Sequence, residues 1–180
     1  MPVWAWIAIG AGAVLVVAGV TVAAVFAWQS AERRYALRLV GLGQGVDFVR
    51  QALADSLGRL AEGTDQELGA FANDPDSLER RALHEVAMRA HLLADELDAM
   101  ALPGSLVPTA DALADAAYLI AKEAERVNDE VVGDDAYAAL SAIDLESVET
   151  YYGAAIFKVA ELREACGLED AAVYDGGLYL

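Results

Sequence analysis

Residues 3–28 read VWAWIAIGAGAVLVVAGVTVAAVFAW, and this stretch decides the predicted fold. It carries no charged side chain, and its only hydroxyl belongs to Thr21. A helix of this length rises roughly 39 Å at about 1.5 Å per residue, which is enough to cross a hydrocarbon core of about 30 Å with some tilt. We therefore predict one transmembrane helix within an N-terminal anchor, residues 1–32.

Tryptophans stand at both ends of this segment, Trp4 and Trp6 at its start and Trp28 at its close. Indoles prefer the two membrane–water interfaces, so this placement fits a spanning helix. A cleaved secretory signal would instead need basic residues ahead of a shorter apolar run. No Lys or Arg precedes the segment, which favours an anchor that is retained.

Three arginines, Arg33, Arg34 and Arg38, follow the segment closely, whereas the other flank offers only the α-amino group. Short flanks rich in Lys and Arg stay on the cytoplasmic side of a membrane. The pattern predicts a single-pass protein of the cell membrane, with its N-terminus outside and its C-terminal domain in the cytoplasm.

A stripe of small residues runs along the predicted anchor at spacings of four or seven. Such a stripe lets a second helix approach closely, so it predicts a protein partner or a second copy within the membrane. The alternative is that glycine and alanine are simply common in membrane helices. The members of the stripe are Ala8, Gly12, Gly19, Ala23 and Ala27.

The remainder of the chain is acidic, because 29 Asp and Glu against 12 Lys and Arg give a net charge of −17. Nucleic acid is excluded as a partner, since its binding needs cations that replace counterions. Lipid is expected only around the anchor. Much of the hydrophobic fraction outside the anchor is alanine, which favours helices. One cysteine permits no intramolecular disulfide.

Apolar residues recur every three or four positions in four segments, which predicts four amphipathic helices. The first covers residues 33–62. A capping box of Thr64 and Glu67 begins a short helix, and Asp74 with Pro75 at the first helical position begins the next long one, with Leu78 on its apolar face.

A further long helix is predicted from Pro108 to Gly133, a short one from Asp134 or Asp135, and a last long one from its cap Asp144 to Gly167. The fold class is therefore all-α. Residues 63–167, with 33–62 as the first helix, form an antiparallel four-helix bundle with short accessory helices behind the transmembrane anchor.

Glycines interrupt the juxtamembrane helix at Gly41, Gly43 and Gly45. Each costs roughly 1 kcal/mol of helix stability, which favours a flexible joint over residues 41–45. A close packing contact is the alternative.

At the other end of the chain, residues 168–180 form a tail that ends with Leu178, Tyr179 and Leu180. These side chains and the free carboxylate could bind a strand-adding domain, or the tail could pack on its own bundle.

No catalytic, metal or cofactor signature survives inspection. His84-Glu85 opens like a helical zinc-protease motif, but Met88 stands where the second histidine belongs, and His91 is about 10 Å farther along the helix. Both histidines fall with Arg80 on the face opposite the apolar one, which predicts solvated side chains. Cys166, at a helix C-terminus, lacks a feature that would favour its thiolate.

The sequence thus predicts a non-enzymatic interaction module, a scaffold or accessory subunit held beside a membrane protein partner. The alternative is a membrane-tethered sensor, in which a small ligand between the helices moves the anchor. A sensor should be stabilised by its ligand, whereas a scaffold should co-purify with its partner.

Overall fold

The computed structural model describes residues 3–128 and 130–168, with side chains from Glu32 onward. The described residues contain helices and no strand. The six helices are α1 (Val3–Ala61), α2 (Asp65–Asn73), α3 (Leu78–Asp98), α4 (Val107–Ala124), α5 (Asp134–Ser141) and α6 (Leu145–Ala165).

Four long helices, α1, α3, α4 and α6, form the bundle. Contacts show the direction of each neighbour: along the seam between α1 and α6, Gly43 meets Val159, whereas Arg50 bonds Glu149, so the two helices run antiparallel. α3 packs between α1 and α4, α6 packs between α4 and α1, and α1 also reaches α4 across the bundle. The predicted all-helical bundle is confirmed.

The interior is filled by leucine and alanine. Leu39, Leu53 and Leu113 are fully buried, and each such leucine contributes about 2 kcal/mol by leaving water. Helix α4 supplies more buried alanines than any other described helix, and their lack of bulk lets α3 and α6 approach it closely. The buried alanines of α4 are Ala110, Ala114, Ala116, Ala117, Ala121 and Ala124.

Three of the predicted helix-end signals are found where their spacing places them, namely the capping box of Thr64 and Glu67, the cap Asp144 and the terminator Gly167. The Thr64 backbone N–H donates to Glu67 Oε2 at 2.7 Å, and the Glu67 N–H donates back to Thr64 Oγ1, which completes the capping box. Asp144 accepts from the Ser147 N–H at 3.0 Å at the start of α6. Gly167, with φ of 61°, adopts the left-handed conformation that ends this helix.

Two boundaries differ from prediction. Pro75 does not begin α3, because Asp74 accepts the Asp76 N–H in a turn and the helix starts after Ser77. Leu78, which was predicted to lie on the buried apolar face of this helix, is consequently 67% exposed, so that prediction is wrong. α4 ends at Ala124 and does not reach Gly133, although the apolar spacing continues into the loop that follows.

The end of the bundle remote from the N-terminus, here called the far end, consists of α2, α5 and the loops that join them to the long helices. There the Gly133 N–H donates to the Ala72 carbonyl at 2.8 Å, and the Tyr137 hydroxyl donates to the Leu68 carbonyl at 3.0 Å. These bonds cross between elements distant in sequence, so the far end is tied together by hydrogen bonds.

Arg80 lies at the centre of the far end and is 3% exposed, so its predicted place on the solvated face is wrong. Its guanidinium donates to four backbone carbonyls, two from the last turn of α2 and two from the α4–α5 loop. The last turn of a helix carries the negative end of its dipole, which favours a cation there. The flank of α3 that carries Arg80 is covered by these segments, and this covering buries the side chain.

In the part of the chain whose side chains the structure describes, no helix is both long and apolar enough to cross a membrane. The predicted anchor, with Trp4, Trp6, Trp28 and the small-residue stripe, lies outside that part. The predicted partner-binding residues Leu178, Tyr179 and Leu180 also lie outside it.

Candidate functional site

A groove of about 310 Å³ follows the seam between α1 and α3. It is open to solvent along its length, with α1 forming one wall and α3 the other. Its lining is Phe48, Val49, Gln51, Ala52, Asp55, Ser56 and Arg59 from α1, and Ala82, Glu85, Val86 and Arg89 from α3.

Phe48 stands at one end of this α1–α3 groove with 57% of its surface exposed. The guanidinium carbon of Arg89 lies 5.7 Å from the centroid of its ring, within the range of a cation–π contact. Glu85, one turn before Arg89 on α3, accepts a hydrogen bond from the same guanidinium. An aromatic ring is therefore presented at the surface and oriented by a charged pair.

The floor and rim of the groove differ in chemistry. Ala52, Ala82 and Val86 give a small, apolar floor, whereas Asp55 and Arg59 stand at the opposite end from Phe48. Small floor residues let the backbone of an incoming segment approach closely, and charged rims fix its direction. This arrangement suits an amphipathic segment of another chain.

On the other side of α1, a charged cluster bridges this helix to α6. Arg50 donates to Asp47 Oδ1 at 3.0 Å and to Glu149 Oε1 at 2.7 Å. Its guanidinium carbon lies 4.5 Å from the centroid of the Tyr152 ring. The side chain of Arg50 is only 19% exposed, so this cation is held from three directions.

The pKa values of Tyr152 and Asp47 reflect the burial and the hydrogen bonds of this cluster. Burial, and then the hydrogen bond to Asp47, raises the pKa of Tyr152 to about 12. Burial alone would raise the pKa of Asp47, but hydrogen bonds from Tyr152, Arg50 and Gln51 together lower it. Asp47 therefore stays ionised and Tyr152 stays protonated at neutral pH, and the cluster holds α1 against α6.

Of the predicted joint residues, Gly43 and Gly45 lie in packed contacts of an uninterrupted α1. A Cβ on Gly43 would meet Val159 at 3.5 Å and Leu113 at 3.6 Å, and one on Gly45 would meet Leu93 at 3.0 Å. Gly41 has open space around it. These contacts fit the packing alternative for two of the three glycines, and flexibility over residues 41–45 stays a prediction.

The three arginines predicted to flank the membrane anchor, Arg33, Arg34 and Arg38, lie where α1 enters the bundle. This entry end of the bundle comprises residues 32–38, 99–106 and 164–168. Arg33 and Arg34 are exposed there, and Arg38 donates to Glu96 Oε1 of α3 at 2.7 Å. Cys166 is half-buried at the same end, where burial, and then the charge of Glu32, raises the pKa of its thiol.

The two histidines predicted to be solvated differ in their surroundings. His84 is exposed, whereas His91 is partly covered, with its Nε2 2.9 Å from Glu125 Oε1 and its ring edge-on to Tyr118. Within the described residues, no three His, Cys, Asp or Glu side chains gather closely enough to hold a metal ion.

Sequence reasoning missed Phe48 and the groove it borders. The signal was available, because Phe48 falls out of phase with the apolar positions Val46, Val49 and Leu53 of the same helix, between Asp47 and the buried Val49. A large apolar residue on the polar face of an amphipathic helix marks a contact surface when others cluster near it.

The chain matches no family model, no curated protein and no solved structure.

Proposed function

We propose that this protein is a single-pass, membrane-anchored interaction module, non-enzymatic, that binds a protein partner in the α1–α3 groove. Residues 3–28 are the anchor, with the N-terminus outside the cell and the bundle in the cytoplasm. The apolar length of that segment, the indoles at its ends and the arginines that follow it support this arrangement.

The observation that carries the proposal is the exposed ring of Phe48 beside a small, apolar floor. Burying an aromatic side chain of this kind dominates the energetics of many protein interfaces. Helix α1 supplies both the predicted anchor and one wall of the groove, so a partner bound there is held beside the membrane.

The chemistry of the groove indicates the kind of segment that it accepts. An apolar side chain would cover Phe48 and the half-buried Ala82, while a carboxylate would reach Arg59, whose guanidinium donates to Ser56 Oγ at 3.2 Å. An amphipathic helix with one apolar stripe and a carboxylate opposite Arg59 meets both requirements. A second copy of this chain, associated through the small-residue stripe of the anchor, is compatible with the same use of the groove.

The sensor alternative requires a chamber between the helices that a small ligand can fill. The centre of the bundle is instead packed with residues such as Leu39, Leu113 and Ile120, which are completely buried. The groove at the α1–α3 seam and the cleft at the α1–α6 seam both open to solvent. These features favour a surface that binds another chain.

The test compares two exposed phenylalanines on different faces. Phe48 borders the groove, whereas Phe157 lies on α6 outside it and is 64% exposed. The full chain is purified from its native membrane in mild detergent as wild type, Phe48→Ala and Phe157→Ala. We expect a stoichiometric partner with the wild type and with Phe157→Ala, and at least a tenfold loss of it with Phe48→Ala, since truncating a buried aromatic anchor costs about 2 kcal/mol or more.

Equal recovery of the partner with all three proteins would overturn the groove as its binding surface. Recovery of no partner, together with a rise in melting temperature on adding a metabolite, would favour the sensor. Both alanine variants remove exposed side chains, so their melting temperatures should match that of the wild type.

A further inference from the structure

Between Glu32 and Leu168, the longest uncharged stretch of the chain contains the loop between α3 and α4. Residues 99–110 read AMALPGSLVPTA and are bounded by Asp98 and Asp111. In a chain with a net charge of −17, loops at a bundle end are expected to carry charge and face water. The lack of charge therefore requires a reason.

A direct bond fixes the position of this loop against α1. Ser105 Oγ donates to Glu32 Oε1 at 2.6 Å. A cleft at the same end is lined by Tyr35 and Arg38 from α1, by Glu96 near the end of α3, and by Ala99, Met100 and Ala101 from the loop. The loop thus packs beside the first turns of α1 whose side chains are described.

The distance from these turns to the end of the apolar segment is short. Trp28 precedes Glu32 by four residues of a continuous α1, which is about 6 Å along a helix axis. The headgroup layer on each side of a hydrocarbon core is about 5–7 Å thick. If the anchor ends at Trp28, then Glu32 and the loop bonded to it lie within that layer.

The outward surface of the loop suits this depth. Ala101 and Pro108 are exposed, Val107 is 39% exposed, and Leu102 and Pro103 are half-buried. Arg33, the residue after Glu32 in α1, is exposed and can meet lipid phosphates. Apolar side chains next to arginines are the composition of a surface that rests in a membrane interface.

We infer that residues 99–108 form a second membrane contact, which rests on the lipid surface beside the anchor and holds the bundle against the bilayer. This inference depends on the proposed anchor. Its occupant is the lipid surface itself, because any other partner at this position would have to occupy the headgroup layer. The contact fixes the bundle at two points, α1 and the loop, and so limits its tilt.

The depth of the loop can be measured with single nitroxide labels on the full chain in phosphatidylcholine vesicles. Labels are placed at Ala101→Cys in the loop, at Gln66→Cys in α2 at the far end, and at Ala13→Cys in the apolar segment, each with Cys166→Ser. Ala101 and Gln66 are both exposed, so their substitution preserves the packing. Accessibility to oxygen, which concentrates in lipid, is compared with accessibility to a water-soluble nickel chelate.

We expect the ratio of nickel to oxygen accessibility at position 101 to be several-fold lower than at position 66. Equal ratios at 101 and 66, with a lipid-exposed label at position 13, would overturn the inference and leave the anchor standing. A label at position 101 shielded from both reagents would overturn it in favour of a protein contact. A water-exposed label at position 13 would defeat the proposed anchor, and the loop contact with it.

Discussion

The two ends of the bundle are stabilised by opposite chemistry. The far end is tied by polar bonds: Arg80 donates to four carbonyls, Thr64 and Glu67 form a capping box, and Glu123 accepts from two donors. The entry end has an uncharged loop that the Ser105 hydroxyl bonds to Glu32 of α1, and beside it an exposed ion pair of Arg38 with Glu96.

Under the proposed membrane contact, this difference corresponds to which end faces water and which end faces lipid. Polar caps and buried ionic bonds satisfy loop carbonyls and amides where solvent competes for them. An apolar loop with little polar support is stable where its surroundings are less polar than water. Substitutions at the far end should therefore cost more stability in solution than substitutions at the entry end, and the following three changes test that order.

Replacing Arg80 with Met should have the largest effect. The buried aliphatic chain is kept, but four carbonyls lose their donor, so we expect a loss of about 4 kcal/mol in the free energy of unfolding. The measurement is urea unfolding of the full chain in mild detergent, followed by circular dichroism.

Arg81→Met is the matched control, because the neighbouring arginine is exposed and its change should stay within about 0.5 kcal/mol. Similar losses in the free energy of unfolding for the two variants would contradict the stabilising role assigned to the hydrogen bonds of Arg80.

Glu123 gives the next largest effect and a pH dependence. It is 2% exposed, and the hydrogen bond from Arg126, assisted by the Asp144 N–H, lowers its pKa despite its burial. A carboxylate with a lowered folded-state pKa contributes stability that is fully present above the unfolded value of 4.5 and is lost as pH falls through the folded value. Asp144, whose pKa is lowered by bonds from Ser147, acts in the same sense.

Glu123→Gln should therefore lose about 2 kcal/mol at neutral pH and show a shallower decline below pH 4.5 than the wild type. Urea unfolding repeated across the acid range measures both quantities. Glu62→Gln, an exposed carboxylate at the end of α1, serves as control and should keep the wild-type slope. A steeper acid decline in the Glu123 variant would contradict the assigned role of its carboxylate.

Ser105→Ala should have the smallest effect. It removes the bond to Glu32 between exposed partners, which is worth about 0.5–1 kcal/mol. The same unfolding experiment measures it, and thermal melts in lipid vesicles add the comparison with a bilayer. A loss as large as that from Arg80→Met would abolish the contrast between the two ends, because the entry end would then depend on a polar bond.

Features set by spacing within a few residues were predictable from sequence. The capping box needs only Thr64 three residues before Glu67, and the cap Asp144 and the terminator Gly167 are equally local. Apolar periodicity also predicted the four long helices, since each must bury one face.

Features set by contacts between distant segments were not predictable. Arg80 is buried because the end of α2 and the α4–α5 loop cover its flank of α3, and no local pattern reports where those segments pack. Val127 maintains the apolar spacing of α4, but α4 ends at Ala124 and Val127 is buried from the loop that follows. The spacing therefore predicted the burial of Val127 and not the end of the helix. The groove required Phe48 of α1 and Arg89 of α3 to be brought together by the fold.

The continuity of α1 from Val3 to Ala61 has a consequence for the choice of partner. Phe48 follows Trp28 by twenty residues, so a straight helix standing upright would present the mouth of the groove roughly 30 Å above the point where the apolar segment ends. The protein would then select partners by the distance of their binding segment from the membrane surface. Under the proposed function, segments that lie flat on the bilayer would be too low to enter the groove, and a partner would have to offer its amphipathic helix at this distance from the membrane.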